Sequence, residues 1–276
     1  MSVVLNGRGR APGTAEGVVL KTMHPFSFFN DVDSGTGVVK RVGSDIFGEA
    51  LYKRILVIPE AVEDCLSDET ISVLNFYKGA PAAIVAGKAC DALIESCVEA
   101  GIPLVEGIDC ASCRTGDSAR VDGDEGTVEL ANVSPSSVVT SVLFNSRGEL
   151  LIVRRSSRAG SHAGTWACIS GYVEEGEAPE KAALRELKEE TGVENVECVR
   201  RAEPLAARDD GKLWMVHPFA VLKNDADIVL DEENTEYRWA KIEEVEALES
   251  SGDTVPRLAE TVRRASYALR TCRAHR

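Results

Sequence analysis

The chain is poor in aromatic residues, at 5%, and holds only 3 methionines and 4 histidines among its 276 residues. The histidines are scattered, so no histidine-based metal cluster can be read from them. No apolar run approaches the roughly 18 residues of a membrane-spanning helix, which argues against that class. Positive charge is in deficit as well: 31 Lys and Arg against 45 Asp and Glu give a net charge of −14. Binding to nucleic acid polymers or to an anionic membrane surface relies on clustered Lys and Arg, so neither is the expected partner. The opening MSVVLNGRGRAPG lacks an apolar stretch of signal-peptide length, and the expected location is the cytoplasm.

What is present fits a soluble globular chain. A hydrophobic content of 44% is ordinary, and the length suits two domains that each bury a core. The 8 cysteines (Cys65, Cys90, Cys97, Cys110, Cys113, Cys168, Cys198, Cys272) are expected to be reduced thiols. Cys110 and Cys113 form a CxxC, but Cys90 and Cys97 are too widely spaced to complete a zinc knuckle.

The two halves follow different grammars. In the first, the β-branched run Arg54 to Pro59 reads as a buried strand, and Asp68 to Lys78 as a helix. Ala82 to Ala86 is a second strand, Ala89 to Ala100 a helix, and Ile102 to Val105 a third strand. VDGDEGTVEL then reads as two β pieces around an acidic turn. The polar break ANVSPSS places a linker near Pro135, giving domains at 1–132 and 137–276. Beyond it VVTSVLFNSRGELLIVRR is a hairpin, and an amphipathic helix runs from Thr254 to His275.

Pro179 to Glu190 reads as one helix, with Pro179 in the first turn and Gly192 just past the end. At about 100° per residue, Glu186, Glu189 and Glu190 share one face. Like charges so placed repel, so they are either solvated or neutralised by something positive. Ala182 lies inside the arc of that face and Ala183 just outside it, and they are expected to leave room for a ligand. Leu184 and Leu187 point to a core, while Lys181 and Lys188 lie on another face. Three carboxylates with small neighbours are a hard-oxygen donor set of the kind Mg²⁺ or Mn²⁺ takes. Arg154 and Arg155 end a strand, so alternation aims them at opposite faces, and either is a candidate phosphate clamp. Trp166, Trp214 and Phe219 are candidates for stacking a base, with core packing as the commoner role of such residues. His217 is expected to be structural.

Residue order goes further. Gly171, five residues, Glu177, seven residues, then Arg185-Glu186-Leu187-x-Glu189-Glu190-x-Gly192-Val193 resembles the Nudix box at every fixed position. The similarity to Nudix hydrolases extends to RRSSRAGSHAGTWACISGYVEEGE and to EYRWAKIEEVEAL. It implies an α/β/α sandwich with a mixed sheet and a Mg²⁺-dependent hydrolase of a small diphosphate, such as a nucleoside diphosphate derivative. It also implies roles: Glu186, Glu189 and Glu190 with the Gly171 carbonyl as metal ligands, and Arg185 holding the glutamates. Glu186 is one candidate base, with Glu233 or Glu236 as others.

In the first half, APGTAEGVVLKTMHPFSFFNDVDSGTGVV, SDIFGEALYKRILVIP, APAAIV and GIPLVEG resemble the swivelling domain of the aconitase X family. That domain forms the small subunit of archaeal phosphomevalonate dehydratase, and it implies a swivelling β/β/α fold. The chain is thus expected to be α/β and α+β overall. The family's Gly-rich, Ser-containing loop is replaced here by EAVEDCLSDETISVLNFYKG, with Asp64 about where the serine belongs. The paired glycines after Ser27 and Phe28 read Asn30 and Asp31, and Ser27 is expected to serve a turn. No glycine follows the strand directly, so the backbone cannot easily approach a phosphate, and a carboxylate there repels one; the domain is expected to be catalytically silent. A homo-oligomer and a dehydratase large subunit are the candidate protein partners. The alternative functions are a swivelling partner of an aconitase-type dehydratase, or an isoprenoid diphosphate-related enzyme using Cys168 with a Glu.

Overall fold

The computed structural model describes residues 2–62, 67–209 and 212–273. The chain divides into two compact units, Met1–Ser134 and Pro135–Arg276. Among the described residues no helix is long and apolar enough to cross a membrane.

The first unit contains β1 (Ser2–Asn6), β2 (Arg8–Ala11), β3 (Thr14–Lys21), α1 (Phe28–Asp31), β4 (Arg54–Glu60), α2 (Ser67–Phe76), β5 (Ala83–Lys88), α3 (Asp91–Ala100), β6 (Leu104–Glu106), β7 (Ser118–Asp122) and β8 (Thr127–Ala131). Its sheet has the order β1-β8-β7-β3-β4-β5-β6-β2. The neighbours from β3 through β6 are parallel and the outer pairings antiparallel. Ile55, Leu56, Val57 and Ile58 are all fully buried. Burial on both faces is why β4 reads as an unbroken apolar run rather than an alternating one. Leu56 and Ile58 pack with Leu20, Ile71, Leu74, Ile84 and Leu93 beneath the helices. β1 and β2 are separated by Gly7 alone, yet they pair with opposite ends of the strand order. The continuous segment 2–11 therefore links the two edges of the sheet. That closure brings backbones close: a Cβ on Gly9 would lie 2.0 Å from the Gly123 carbonyl oxygen, so only glycine fits.

Ser27 is consumed locally. It caps α1, its hydroxyl accepting from the Asn30 backbone at 3.0 Å, while buried Asp31 accepts the Ser27 N–H at 2.9 Å. Cys110 and Cys113 are buried around a short 3₁₀ turn, and burial pushes the Cys110 thiol up to about 11. Asp64 lies outside the described residues.

The second unit contains β9 (Ser136–Phe144), β10 (Leu150–Arg155), β11 (Trp166–Ala167), β12 (Ile169–Tyr172), α4 (Pro179–Thr191), β13 (Cys198–Arg201), β14 (Leu205–Asp209), β15 (Lys212–Leu222), β16 (Asn234–Ala240), α5 (Ile242–Ser250) and α6 (Leu258–Arg273). β9 is the hub: it runs parallel to β15 and antiparallel to β10 and β12. Side chains alternate across it. Val139 and Leu143 join Val153, Ile169 and Phe219 against Ala182, Ala183 and Leu187 of α4. Val142 and Phe144 join Ile152 and Cys168 against Val245 of α5 and Val262 and Ala265 of α6. The result is a mixed sheet between helical layers.

Candidate active site

Helix α4 starts cleanly because Pro179 occupies its first turn, and it stops because Gly192 takes the left-handed conformation at φ 69°. Leu187 is fully buried against the sheet, and Leu184 is half-buried. Ala182 and Ala183 do not leave space for a ligand. Both are fully buried, and their small size lets the helix press onto the strands, where Ser141 Oγ donates to the Ala183 carbonyl at 2.8 Å.

The like charges are met by an arginine of their own helix. Arg185 grips Glu177 with a two-pronged fork, Nε to Oε1 at 3.0 Å and Nη2 to Oε2 at 2.9 Å. Its Nη1 donates to Glu186 Oε1 at 2.7 Å and to Glu189 Oε2 at 3.2 Å. Its Nη2 also donates to the Tyr172 carbonyl at 3.1 Å, which ties the helix to the end of β12. The hydrogen bonds it donates to Glu177 and then Glu186 hold the guanidinium charged. Lys188 turns away to pair with Glu194 at 2.5 Å.

Burial opposes the ionisation of Glu186, despite its bond from Arg185, and of Glu190. Burial raises the Glu186 carboxyl, with Arg185 opposing and Glu189 and Glu233 adding repulsion. Glu190 is 5% exposed, and its carboxyl is pushed up to about 7. Burial is the main cause, followed by the opposing hydrogen bond from Asn234 and the charges of Asp231, Glu186 and Glu233. Asn234 Nδ2 donates to Glu190 Oε2 at 2.7 Å and to Asp231 Oδ1 at 3.3 Å, while its buried Oδ1 has no partner among the described residues. Gly171 faces Glu186 directly: a Cβ there would lie 1.9 Å from the Glu186 Cδ. Only glycine leaves that space to the carboxylate.

Among the described residues no three His, Cys, Asp or Glu side chains stand already converged on a metal position. Glu186 and Glu189 are drawn onto Arg185 instead. The donor chemistry still fits a hard divalent cation. The site offers carboxylate oxygens whose ionisation burial and mutual repulsion oppose, and a positive ion would relieve that charge.

The other sequence candidates are distributed differently. Arg154 donates to the Gly164 carbonyl at 2.9 Å and pairs with Glu236 at 3.5 Å, which occupies Glu236 away from the acid cluster. Arg155 donates to the Ser161 and Ala159 carbonyls at 2.9 and 3.0 Å. Both arginines therefore brace the 156–165 segment, across a register shift between β10 and β16 at Arg154 and Arg155. Trp166 is 7% exposed, with the Arg154 and Arg238 guanidinium groups 5.6 and 4.8 Å from its ring. Phe219 is wholly core. His217 meets Ser137 Oγ at 2.9 Å, and burial followed by the nearby Arg201 lowers its pKa. Cys168 is buried in the α6-side core and its thiol is pushed up to about 12 by burial, which removes it from any ligand. Asn234 is the member that sequence reasoning missed. It sits 44 residues from Glu190, in a polar run with no local signal of its own.

A mixed sheet between helices, with an Arg-bound acidic helix facing a glycine, defines the second unit as a Nudix-type domain. A family model for the NUDIX domain matches residues 135–263, and one for the aconitase X swivel domain matches residues 4–130. The phosphomevalonate dehydratase small subunit of Thermococcus gammatolerans is 36% identical over 126 residues, covering 46% of this chain and 96% of that one. The crystal structure of Thermococcus kodakaraensis aconitase X in its holo-form is 35% identical, with a TM-score of 0.46, over 47% of this chain and 99% of that one. The MutT protein from Methanosarcina mazei Go1 is 23% identical, with a TM-score of 0.42, over 49% of this chain and 96% of that one. The chain belongs to the aconitase X swivel-domain family through its first unit, and its second unit carries a match to the NUDIX domain over residues 135–263. Its Nudix domain makes it a hydrolase of diphosphates, in a family that generally depends on a divalent metal.

Proposed function

We propose that the chain is a Mg²⁺-dependent (or Mn²⁺-dependent) pyrophosphohydrolase that cleaves the diphosphate linkage of a nucleoside diphosphate derivative or related small molecule. The observation that carries this reading is the buried Glu190, with its carboxyl raised to about 7 among Glu186, Glu233 and Asp231. Such a group is costly in isolation and gains from a cation.

Glu186, Glu189, Glu190 and the Gly171 carbonyl would hold the metal. When bound, the metal offsets the charge of the diphosphate and lowers the pKa of water. Arg185 fixes the Glu186 and Glu189 carboxylates through its own anchorage on Glu177 and the Tyr172 carbonyl. Asn234 orients Glu190 by donating to one of its oxygens. The proton from the attacking water goes to a carboxylate at the cluster. Glu233 suits that task better than Glu236, since Glu233 bears electrostatically on Glu186 and Glu190 while Glu236 is paired with Arg154.

The swivel domain is catalytically silent in this reading. Ser27 is spent as a helix cap, and Asp31 is buried where the related loop needs glycine. A second reading, favoured by the likeness to dehydratase small subunits, makes the first unit the partner of a dehydratase large subunit. A panel of diphosphates assayed with and without Mg²⁺ tests the first reading, and co-purification with a large subunit tests the second.

A further inference from the structure

Asn234 is 6% exposed at the start of β16, and the two ends of its carboxamide are used unequally. Its Nδ2 serves two carboxylates, Glu190 Oε2 at 2.7 Å and Asp231 Oδ1 at 3.3 Å. Its Oδ1 is buried and has no partner among the described residues. Turning the group over would set Oδ1 against the Glu190 carboxylate, acceptor against acceptor, so the orientation is fixed. A buried carbonyl left unpaired costs stability, and a leucine of the same branched shape would remove that cost. Stability alone therefore does not account for an amide here; the two bonds from Nδ2 do. They join separate parts of the chain. Glu190 belongs to α4, whereas Asp231 belongs to a segment, 229–234, that runs along the end of that helix. Within it, the Val229 N–H donates to the Thr191 carbonyl at 3.0 Å and the Asp231 N–H to the Glu190 carbonyl at 3.2 Å. Asp231 Oδ1 also accepts the Glu233 N–H at 3.0 Å. One amide thus reaches the Glu190 side chain directly and the Glu233 backbone through Asp231.

We infer that Asn234 is a positioning residue that couples Glu190 to the segment carrying Glu233, so that divalent-cation binding at the acid cluster also steadies that segment. The inference rests on the metal-dependent hydrolase reading above and deepens it. Among the described residues the Glu190 carboxylate accepts one hydrogen bond, the one from Asn234. That donor holds the side chain in one orientation beforehand, so less freedom is lost when the carboxylate takes a ligand. The opposite side of the segment is fixed by Ser156, whose N–H and hydroxyl donate to the Glu233 and Glu232 carbonyls at 2.7 Å each. The Asn234 and Asp231 pair supplies the side-chain link from there to α4. Such a link works in both directions. Whatever favours the held form of Glu190 favours, by the same factor, the bonded form of the segment.

The test uses the full chain and Mn²⁺ alone, with no substrate, so that binding is read apart from turnover. Free Mn²⁺ is followed by electron paramagnetic resonance during titration of the wild type, Asn234→Leu, Asn234→Ala and Glu190→Gln. Amide hydrogen exchange of residues 229–234 is measured with and without the ion. The wild type should bind Mn²⁺, and exchange in the segment should slow about threefold or more. Asn234→Leu should bind about tenfold or more weakly, and at saturating Mn²⁺ its segment should gain no protection. Asn234→Ala, which introduces no bulk, carries the same expectation should the leucine variant fail to fold. The inference is overturned if a folded Asn234 variant binds Mn²⁺ as tightly as the wild type, or if Mn²⁺ leaves exchange of the wild-type segment unchanged. The controls separate this failure from that of the underlying reading. Wild-type binding that is lost only in Glu190→Gln removes the role of Asn234 and leaves the metal site. A wild type that binds no Mn²⁺, or a Glu190→Gln variant that binds it equally well, overturns both.

Discussion

Replacing Gly171 by Ala probes the site through a single methyl group. The added Cβ would sit 1.9 Å from Glu186 Cδ, where carbon atoms prefer about 3.5–4.0 Å, so the carboxylate has to retreat by roughly 1.5–2 Å. The backbone itself accepts alanine, since Gly171 is an antiparallel strand residue paired with Val139 and carries no positive φ. The retreat sacrifices the 2.7 Å bond from Arg185, a charge-assisted contact worth about 1.5–3 kcal/mol at most. Two effects offset the loss. Glu186 regains water, and alanine restricts the unfolded chain by about 0.4–1 kcal/mol. Stability should therefore change by no more than about 1 kcal/mol. Catalysis should respond very differently, because misplacing a reacting group by about 1 Å costs on the order of 100-fold, or about 2.7 kcal/mol of barrier. Steady-state hydrolysis at saturating Mg²⁺, with thermal melts alongside, separates the two quantities. A variant that keeps kcat within a few-fold of wild type would refute the assignment of Glu186 to the metal, and one that melts like a core mutant would refute the geometry.

Glu190→Gln should abolish Mg²⁺-dependent hydrolysis without unfolding the protein. Because the folded-state carboxyl is raised from 4.5 to about 7, its contribution is full below about pH 4.5 and fades as pH rises through 7. The metal-free wild type should thus lose up to about 3 kcal/mol between pH 4.5 and 8, a slope that Glu190→Gln flattens in melts run in EDTA. Arg185→Lys cannot reproduce the fork to Glu177 while reaching Glu186, and should lower kcat by at least about 100-fold with a smaller effect on melting. Residues 135–276 alone should retain hydrolysis, and a folded but inactive fragment would make the swivel domain part of the active site. Mixed with a dehydratase large subunit, the chain should give no water loss from phosphomevalonate, whereas turnover would show that the first unit is not silent.

The parts legible in sequence were those set by local spacing. The run from Arg54 to Pro59 announces a strand because burial on both faces demands apolar side chains at successive positions. Likewise the helix carrying Glu186, Glu189 and Glu190 is delimited by Pro179 and Gly192, whose backbone preferences act at their own positions. Contacts between distant segments left no such trace. Asn234 reaches Glu190 only because β16 starts beside the end of α4, and the split of residues 2–11 between two sheet edges depends on partners near 104–106 and 127–131. Ala182 and Ala183 illustrate the ambiguity of a small residue, which can leave a gap or close one. Arg154 and Arg155 illustrate the same for charge: their place at the end of a strand was readable, but the carbonyls that engage them come from a loop folded back on the strand.

The most direct measurement is phosphate-bond hydrolysis by the full chain across a panel of nucleotide and non-nucleotide diphosphates, with Mg²⁺ and with EDTA, beside Glu190→Gln. The account predicts turnover of at least one nucleotide diphosphate that requires the metal and disappears in the variant. Turnover that persists in EDTA, or that survives unchanged in Glu190→Gln, would contradict it.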